Sequence, residues 1–221
     1  MLEVTRGMTK VDYRNRFSKM SLGFQAFKLS SFRFFKVSRY LGLVYALLFC
    51  YGTAQEAYYP ATPGLTWTYS NGETQSLSGP RDFSGQSALV LLHSLQGAPA
   101  TEDYIVYDDS GGRLLGTAVS GEVVSYTPPL LVYPPSPLQV GQTWSSTTQV
   151  QGLEITLSAE VLGVGGVQTP AGRFNALQIR QQTITSSGGQ TFIDQFFVPT
   201  VGIVRTVTQD GTTIDLIEKN F

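Results

Sequence analysis

The sequence predicts an all-β protein: a curved, mostly antiparallel sheet, half-barrel or sandwich-like, with a weak internal duplication. Three observations lead there. Apolar and polar residues alternate over long runs, as in Leu153-Glu154-Ile155-Thr156-Leu157-Ser158-Ala159-Glu160-Val161, which puts one face in a core and the other in water. Glycine turns separate the runs at Ser110-Gly111-Gly112, Ser187-Gly188-Gly189 and Asp210-Gly211, supplying the positive φ that tight hairpins need. Residues 55–221 hold a single lysine, Lys219, against 35 Ser and Thr, a surface suited to strands and turns rather than helices.

The elements run in this order. Residues 1–54 carry nine basic and two acidic residues, a net of +7, and the remainder carries −8, so the overall −1 conceals a targeting segment. Lys36 and Arg39 precede the apolar run Leu41 to Cys50, and Gly52-Thr53-Ala54 offers small residues at −3 and −1. That is a cleavable export signal, and its apolar run is about half the ~20 residues a membrane span requires. Cleavage is expected between Ala54 and Gln55. Cys50 follows Phe49 and reads as part of the apolar run rather than as a lipid acceptor. A basic stretch of 39 residues is long for such a signal. Translation is therefore expected to begin at Met20 or, with a non-AUG start, at Val37; the alternative is a leader over 1–39 removed with the signal.

Residues 55–221 then form one domain. Strands are expected at 65–69, 88–92, 102–108, 113–119, 122–126, 142–150, 153–161, 174–184, 190–198, 203–208 and 212–218. Thr127-Pro128-Pro129 through Pro134-Pro135-Ser136-Pro137 reads as an extended surface crossover between two halves, because proline donates no ladder hydrogen bond. A recurrence supports the halves: Tyr59-Pro60 leads to Gly64-Leu65-Thr66-Trp67, and Tyr133-Pro134 leads to Gly141-Gln142-Thr143-Trp144. Each glycine would turn the chain into a strand whose tryptophan plugs the core. Trp67, Tyr69 and Trp144 are also the candidate ligand contacts, as an aromatic platform.

Chemistry is sparse. One Cys and one His exclude a disulfide framework and any paired-histidine metal motif, and no cofactor motif is present. His93, in Leu91-Leu92-His93-Ser94-Leu95, reads as a structural strand histidine, and no Gly-x-Ser-x-Gly elbow accompanies it. Asp108-Asp109-Ser110-Gly111-Gly112 reads as a hairpin turn rather than a calcium loop. Glu102, Asp103 and Glu122 add acids nearby, leaving open a carboxylate pair for hydrolysis. Gly163-x-Gly165-Gly166 is read as lying between strands, without the helix or lysine of a phosphate loop. The acidic domain carries no electrostatic footprint for nucleic acid.

Four blocks resemble a known group. Tyr58-Tyr59-Pro60 through Gly64, Trp67 and Tyr69 is the first, and Pro137-Leu138-Gln139-Val140-Gly141-Gln142-Thr143-Trp144 the second. The third is Val167-Gln168-Thr169-Pro170-Ala171-Gly172-Arg173-Phe174-Asn175-Ala176-Leu177-Gln178-Ile179, and the fourth Phe197-Val198-Pro199-Thr200-Val201-Gly202-Ile203-Val204-Arg205. Together they resemble exported bacterial TapB-like β-rich proteins of uncharacterised function. Phe196-Phe197 departs from the group's common Trp. The resemblance implies an envelope or secreted protein with a curved antiparallel sheet, distantly similar to lipoprotein-carrier half-barrels, and brings no catalytic residues. The expected function is a non-enzymatic, exported cell-envelope binding module for an apolar small molecule or lipid, or for an envelope protein partner. The alternatives are a structural surface-assembly component and a carboxylate-dependent hydrolase. A hollow sheet favours carriage, an exposed flat edge favours assembly, and a cleft with two carboxylates about 5–10 Å apart favours hydrolysis.

Overall fold

The computed structural model describes residues 58–221; the signal, its cleavage site and the start-site alternatives lie outside them. Twelve antiparallel strands follow one another: β1 (Thr66–Tyr69), β2 (Glu73–Phe83), β3 (Gln86–Leu95), β4 (Ala98–Asp108), β5 (Gly111–Val119), β6 (Glu122–Tyr133), β7 (Thr143–Val150), β8 (Leu153–Thr169), β9 (Gly172–Thr185), β10 (Gln190–Val198), β11 (Gly202–Thr208) and β12 (Thr213–Lys219). Each pairs with its chain neighbour, and β1 pairs with β12, so the expected curved sheet closes into a barrel. Closure removes the edges that an open sheet would present along its length.

The alternating pattern sorts the faces as expected. Ile155, Leu157, Ala159 and Val161 of β8 point into the core. Outward positions of β7 and β8 are Thr143, Ser145, Thr147, Gln149, Glu154, Thr156, Ser158 and Glu160. That is the reverse of a lipid-facing barrel, whose apolar side chains point out. Ile105, Leu114, Ile179, Gln195, Val204 and Leu216 are fully buried. Aromatic rings of Tyr59, Tyr107, Tyr133 and Phe197 fill one end, with centroids 5.2–6.1 Å from that of Tyr59. A second apolar cluster, with Phe83, Val90, Tyr104 and Leu115, occupies the opposite face of β2–β5. Phe83 lies so close to Gly116 that a Cβ there would meet its ring at 2.5 Å, which explains the glycine.

The duplication is present in the hydrogen bonds. The N–H of Gly64 donates to Leu77 O, and the N–H of Leu77 donates to Leu65 O; the N–H of Gly141 donates to Val161 O, and that of Val161 to Gln142 O. Both glycines have positive φ, +94° and +82°. Both tryptophans are buried, and their indole N–H groups donate to Val201 O at 3.0 Å and Val132 O at 2.9 Å. The runs β1–β6 and β7–β12 thus open alike, each with a glycine turn leading to a buried tryptophan, although the two indoles bond to non-equivalent carbonyls.

Three expectations are corrected. Residues 127–133 are not a surface crossover but the second half of β6, set between β5 and β7. The proline argument holds locally, since β6 and β7 share only the Thr127↔Gln149 register pair. Inward side chains of β7 replace the missing ladder: Ser146 Oγ accepts from the N–H of Leu131, and Thr148 Oγ1 donates to Pro128 O. Secondly, β2 forms over 73–83, where Gly79-Pro80 and a single aliphatic residue, Leu77, leave no periodic pattern to read. Thirdly, Gly163, Gly165 and Gly166 lie inside β8, which continues to Thr169.

Candidate functional site

Two features stand out, one buried and one exposed. The buried one spans β2 to β6. His93 Nδ1 lies 2.8 Å from Glu73 Oε1, and Nε2 lies 3.1 Å from Asp103 Oδ2. Thr117 Oγ1 donates to Asp103 Oδ1 at 2.6 Å and contacts Tyr126 OH at 3.2 Å. Gln75 Nε2 donates to Glu73 Oε1 at 2.8 Å. Register explains the grouping, because Gln75 faces His93 across β2–β3 and Asp103 faces Thr117 across β4–β5. The side chains of His93, Asp103 and Glu73 are 5%, 3% and 18% exposed, and both carboxylates are engaged by one imidazole.

Burial pushes the His93 pKa down, but the hydrogen bonds and charges of Asp103 and Glu73 outweigh it and bring it up to about 9. For Glu73, burial pushes up, and the hydrogen bond and charge of His93 with the bonds of Gln75 and Asn71 bring the carboxyl below its usual value. An imidazolium between two carboxylates is the state this geometry favours. A pH dependence of stability follows. His93 stabilises the fold fully below its unfolded value of 6.5, and that contribution is lost as pH rises through about 9. The contribution of Glu73 is present above its unfolded value of 4.5 and is lost as pH falls through its lowered folded value. Urea midpoints are expected to peak near pH 5–6.5 and to fall by the equivalent of about 3 kcal/mol between pH 6.5 and about 9. An His93→Gln variant showing the same alkaline drop would assign it to another group.

The duplication gives this cluster a neutral counterpart. Leu77, Leu91, Asp103 and Thr117 face one another in turn across β2–β5. Val161, Ile179, Gln195 and Thr206 do the same across β8–β11. Counting from these rows, His93 corresponds to Gln181, Asp103 to Gln195 and Glu73 to Leu157. One half is charged where the other carries amides and a leucine. The sequence marked His93 and Asp103 separately and missed Glu73, Thr117 and Tyr126. Only the register of β2, itself unreadable in advance, brings Glu73 to the histidine.

The exposed feature is an open groove of about 480 Å³ over the outward face of β7–β10. Two cross-strand rows line it, Thr143, Glu160, Arg180 and, beside it, Ser145, Ser158, Gln182, Phe192, and Asp194 continues the first row beyond the groove. Arg180 grips Asp194 through two bonds of 2.7 and 2.8 Å, which holds the Asp194 carboxyl below its ordinary value. Small hydroxyls form the floor, where Ser145 and Ser158 lie 3.1 Å apart, while Phe192 supplies a half-buried ring. Trp144 also contributes to the wall. Trp67 and Tyr69, the other two candidate ligand contacts, are interior; Tyr69 OH donates to Ile203 O at 3.1 Å. Asp108 and Ser110 form the expected turn, with the N–H of Ser110 donating to Asp108 Oδ1 at 2.8 Å and Arg113 paired to Asp108. Glu102 pairs with Arg81 at 2.6 Å.

What the fold and site define is a closed, antiparallel all-β barrel with an open groove on the outward face of β7–β10. No family model and no curated protein matches the chain, so the TapB-like resemblance rests on its motifs alone. Among solved structures, a candidate lipoprotein from Parabacteroides distasonis ATCC 8503 is similar over 74% of this chain and 98% of its own, at 13% identity and a TM-score of 0.43. A candidate exported protein with a YmcC-like fold from Bacteroides fragilis NCTC 9343 is similar over 74% of this chain and 99% of its own, at 12% identity and a TM-score of 0.38. Likenesses this distant say nothing of ligand or activity.

Proposed function

We propose that the chain is an exported cell-envelope protein that acts as a non-enzymatic binding module, and that it engages an extended segment of a protein partner in the β7–β10 groove. The export-type pattern from Lys36 to Ala54 supports the location. The observation that carries the binding reading is the contrast between interior and exterior. The interior is closed by buried side chains, whereas the outward groove presents hydroxyls, the Gln182 amide, the Glu160 carboxylate and the Phe192 ring together. An extended peptide needs such a set, with polar groups for its backbone and a flat apolar surface for a side chain. Carriage of an apolar molecule finds less support, because it calls for a hollow sheet.

A photo-crosslinking residue at Gln182 tests this in the exporting host. The expected result is a peptide adduct identified by mass spectrometry, absent when the same residue replaces Glu122 at the β5–β6 turn. An adduct with a lipid or a glycan at Gln182, or equal labelling at both positions, would sink the reading.

A further inference from the structure

Closure of the barrel leaves a stretch of β8 without a strand neighbour among the described residues. The pairing of β7 with β8 ends at Thr143↔Glu160. Beyond it the N–H and C=O of Val161 are taken by Gln142 O and the N–H of Gly141. A bulge follows between Val161 and Gly163, and β8 continues to Thr169 paired with β9 alone. This arm folds over the barrel end, where the N–H of Ala171 donates to Leu216 O and Arg205 Nη2 to Gln168 O. From Leu162 to Val167 the edge facing away from β9 has no strand partner among the described residues.

The glycines of that edge go beyond what the fold requires. Gly163, Gly165 and Gly166 have ordinary negative φ, and a Cβ built on any of them would meet nothing within 4 Å. The bulge accounts for Gly163, but neither backbone conformation nor packing asks for glycine at 165 and 166, and glycine weakens a strand relative to alanine. Strand glycines without an internal reason mark places where another backbone comes close. Apart from the bulge at its start, the edge carries no charge to protect it: from Val161 to Gly172 there is no charged side chain. Val164 is 54% exposed and Leu162 38%, and Val140, adjacent through the Gly141–Val161 bond, is 58% exposed.

We propose that this edge, Leu162 to Val167, is a docking strand for a second copy of the chain. The edge is self-complementary. Antiparallel pairing with Gly165 on the two-fold axis sets Val164 of each copy opposite Gly166 of the other, so each valine covers a glycine gap. The same register brings no like charges together, and it joins the two barrels through a continuous sheet. Such an isologous contact closes at two copies and does not propagate. Its short length places it among small, concentration-dependent interfaces.

Sedimentation velocity on protein purified from cells expressing the full chain tests this, together with amide hydrogen exchange of the same sample. The expected result is a monomer–dimer equilibrium across the micromolar range, with the Val164 and Gly166 amides slowing as dimer forms. Val164→Lys, at an exposed position that leaves the fold intact, is expected to weaken dimerisation by about tenfold or more. Ile184→Lys, an exposed apolar site away from the edge, is expected to leave it unchanged. A monomer at every concentration would overturn the proposal, as would a dimer indifferent to Val164→Lys. Edge amides already protected in the monomer would also overturn it, since a different occupant would then cover the strand. The exchange measurement on the unmodified protein stands even if a variant fails to fold.

Discussion

His93→Leu is expected to destabilise the barrel by about 3–5 kcal/mol, the cost of breaking a buried charge pair by removing one partner. The substitution leaves Asp103 and Glu73 facing each other without the imidazolium that both now contact at 3.1 and 2.8 Å. Thr117 still donates to Asp103, and Gln75 to Glu73, but neither carries charge. The counterpart half supplies the rescue. A triple variant, Glu73→Leu, His93→Gln and Asp103→Gln, copies Leu157, Gln181 and Gln195 into the charged half. It is expected to recover most of the lost stability, because replacing a whole buried ionic cluster is often neutral where breaking it is costly. It should also lose the alkaline drop in stability. Urea unfolding of the single and triple variants near pH 6 decides the matter. A triple variant as unstable as His93→Leu would mean that the two halves are not equivalent at this level.

Trp67→Ala and Trp144→Ala are each expected to cost about 3–5 kcal/mol, from lost burial and the cavity left behind. Each change also orphans a carbonyl, Val201 O in one case and Val132 O in the other. The two should differ in where the damage falls. Trp67 ties β1 to the β10–β11 turn, so its loss loosens that end. Trp144 is one of three β7 side chains that stand in for the absent β6–β7 ladder, with Ser146 and Thr148. Its removal is expected to speed hydrogen exchange at Leu131 while sparing β10–β11. Each variant keeps a single tryptophan, whose emission should be blue-shifted and poorly quenched. Emission at the wavelength of a solvated indole would place the ring at the surface and remove the basis for the predicted cost.

Much of the architecture was legible locally. The alternation along Leu153–Val161 and the turn glycines identify strands and hairpins without reference to the rest of the chain. The two Gly-x-Thr-Trp blocks mark the halves for the same reason: a positive-φ turn followed by a large inward ring is a local requirement repeated twice. Where local rules conflict, reading fails. Pro128 and Pro129 argue correctly against a backbone ladder, but side chains of β7 supply the bonds instead, and those lie 15 to 20 residues away in sequence.

By itself the sequence determined that the chain is all-β and which face of each regular strand is apolar, because these follow from the backbone preferences and hydropathy of neighbouring residues; its four-residue recurrence pointed to two halves without establishing them. Only the tertiary structure decided that the sheet closes, that Glu73 and Asp103 share His93, and that the β8 edge from Leu162 to Val167 meets no strand partner among the described residues. Those depend on register and on which strands meet around the barrel. A single-residue slip would turn Glu73 outward and leave His93 with one carboxylate, and nothing in the spacing of the three residues forbids that slip.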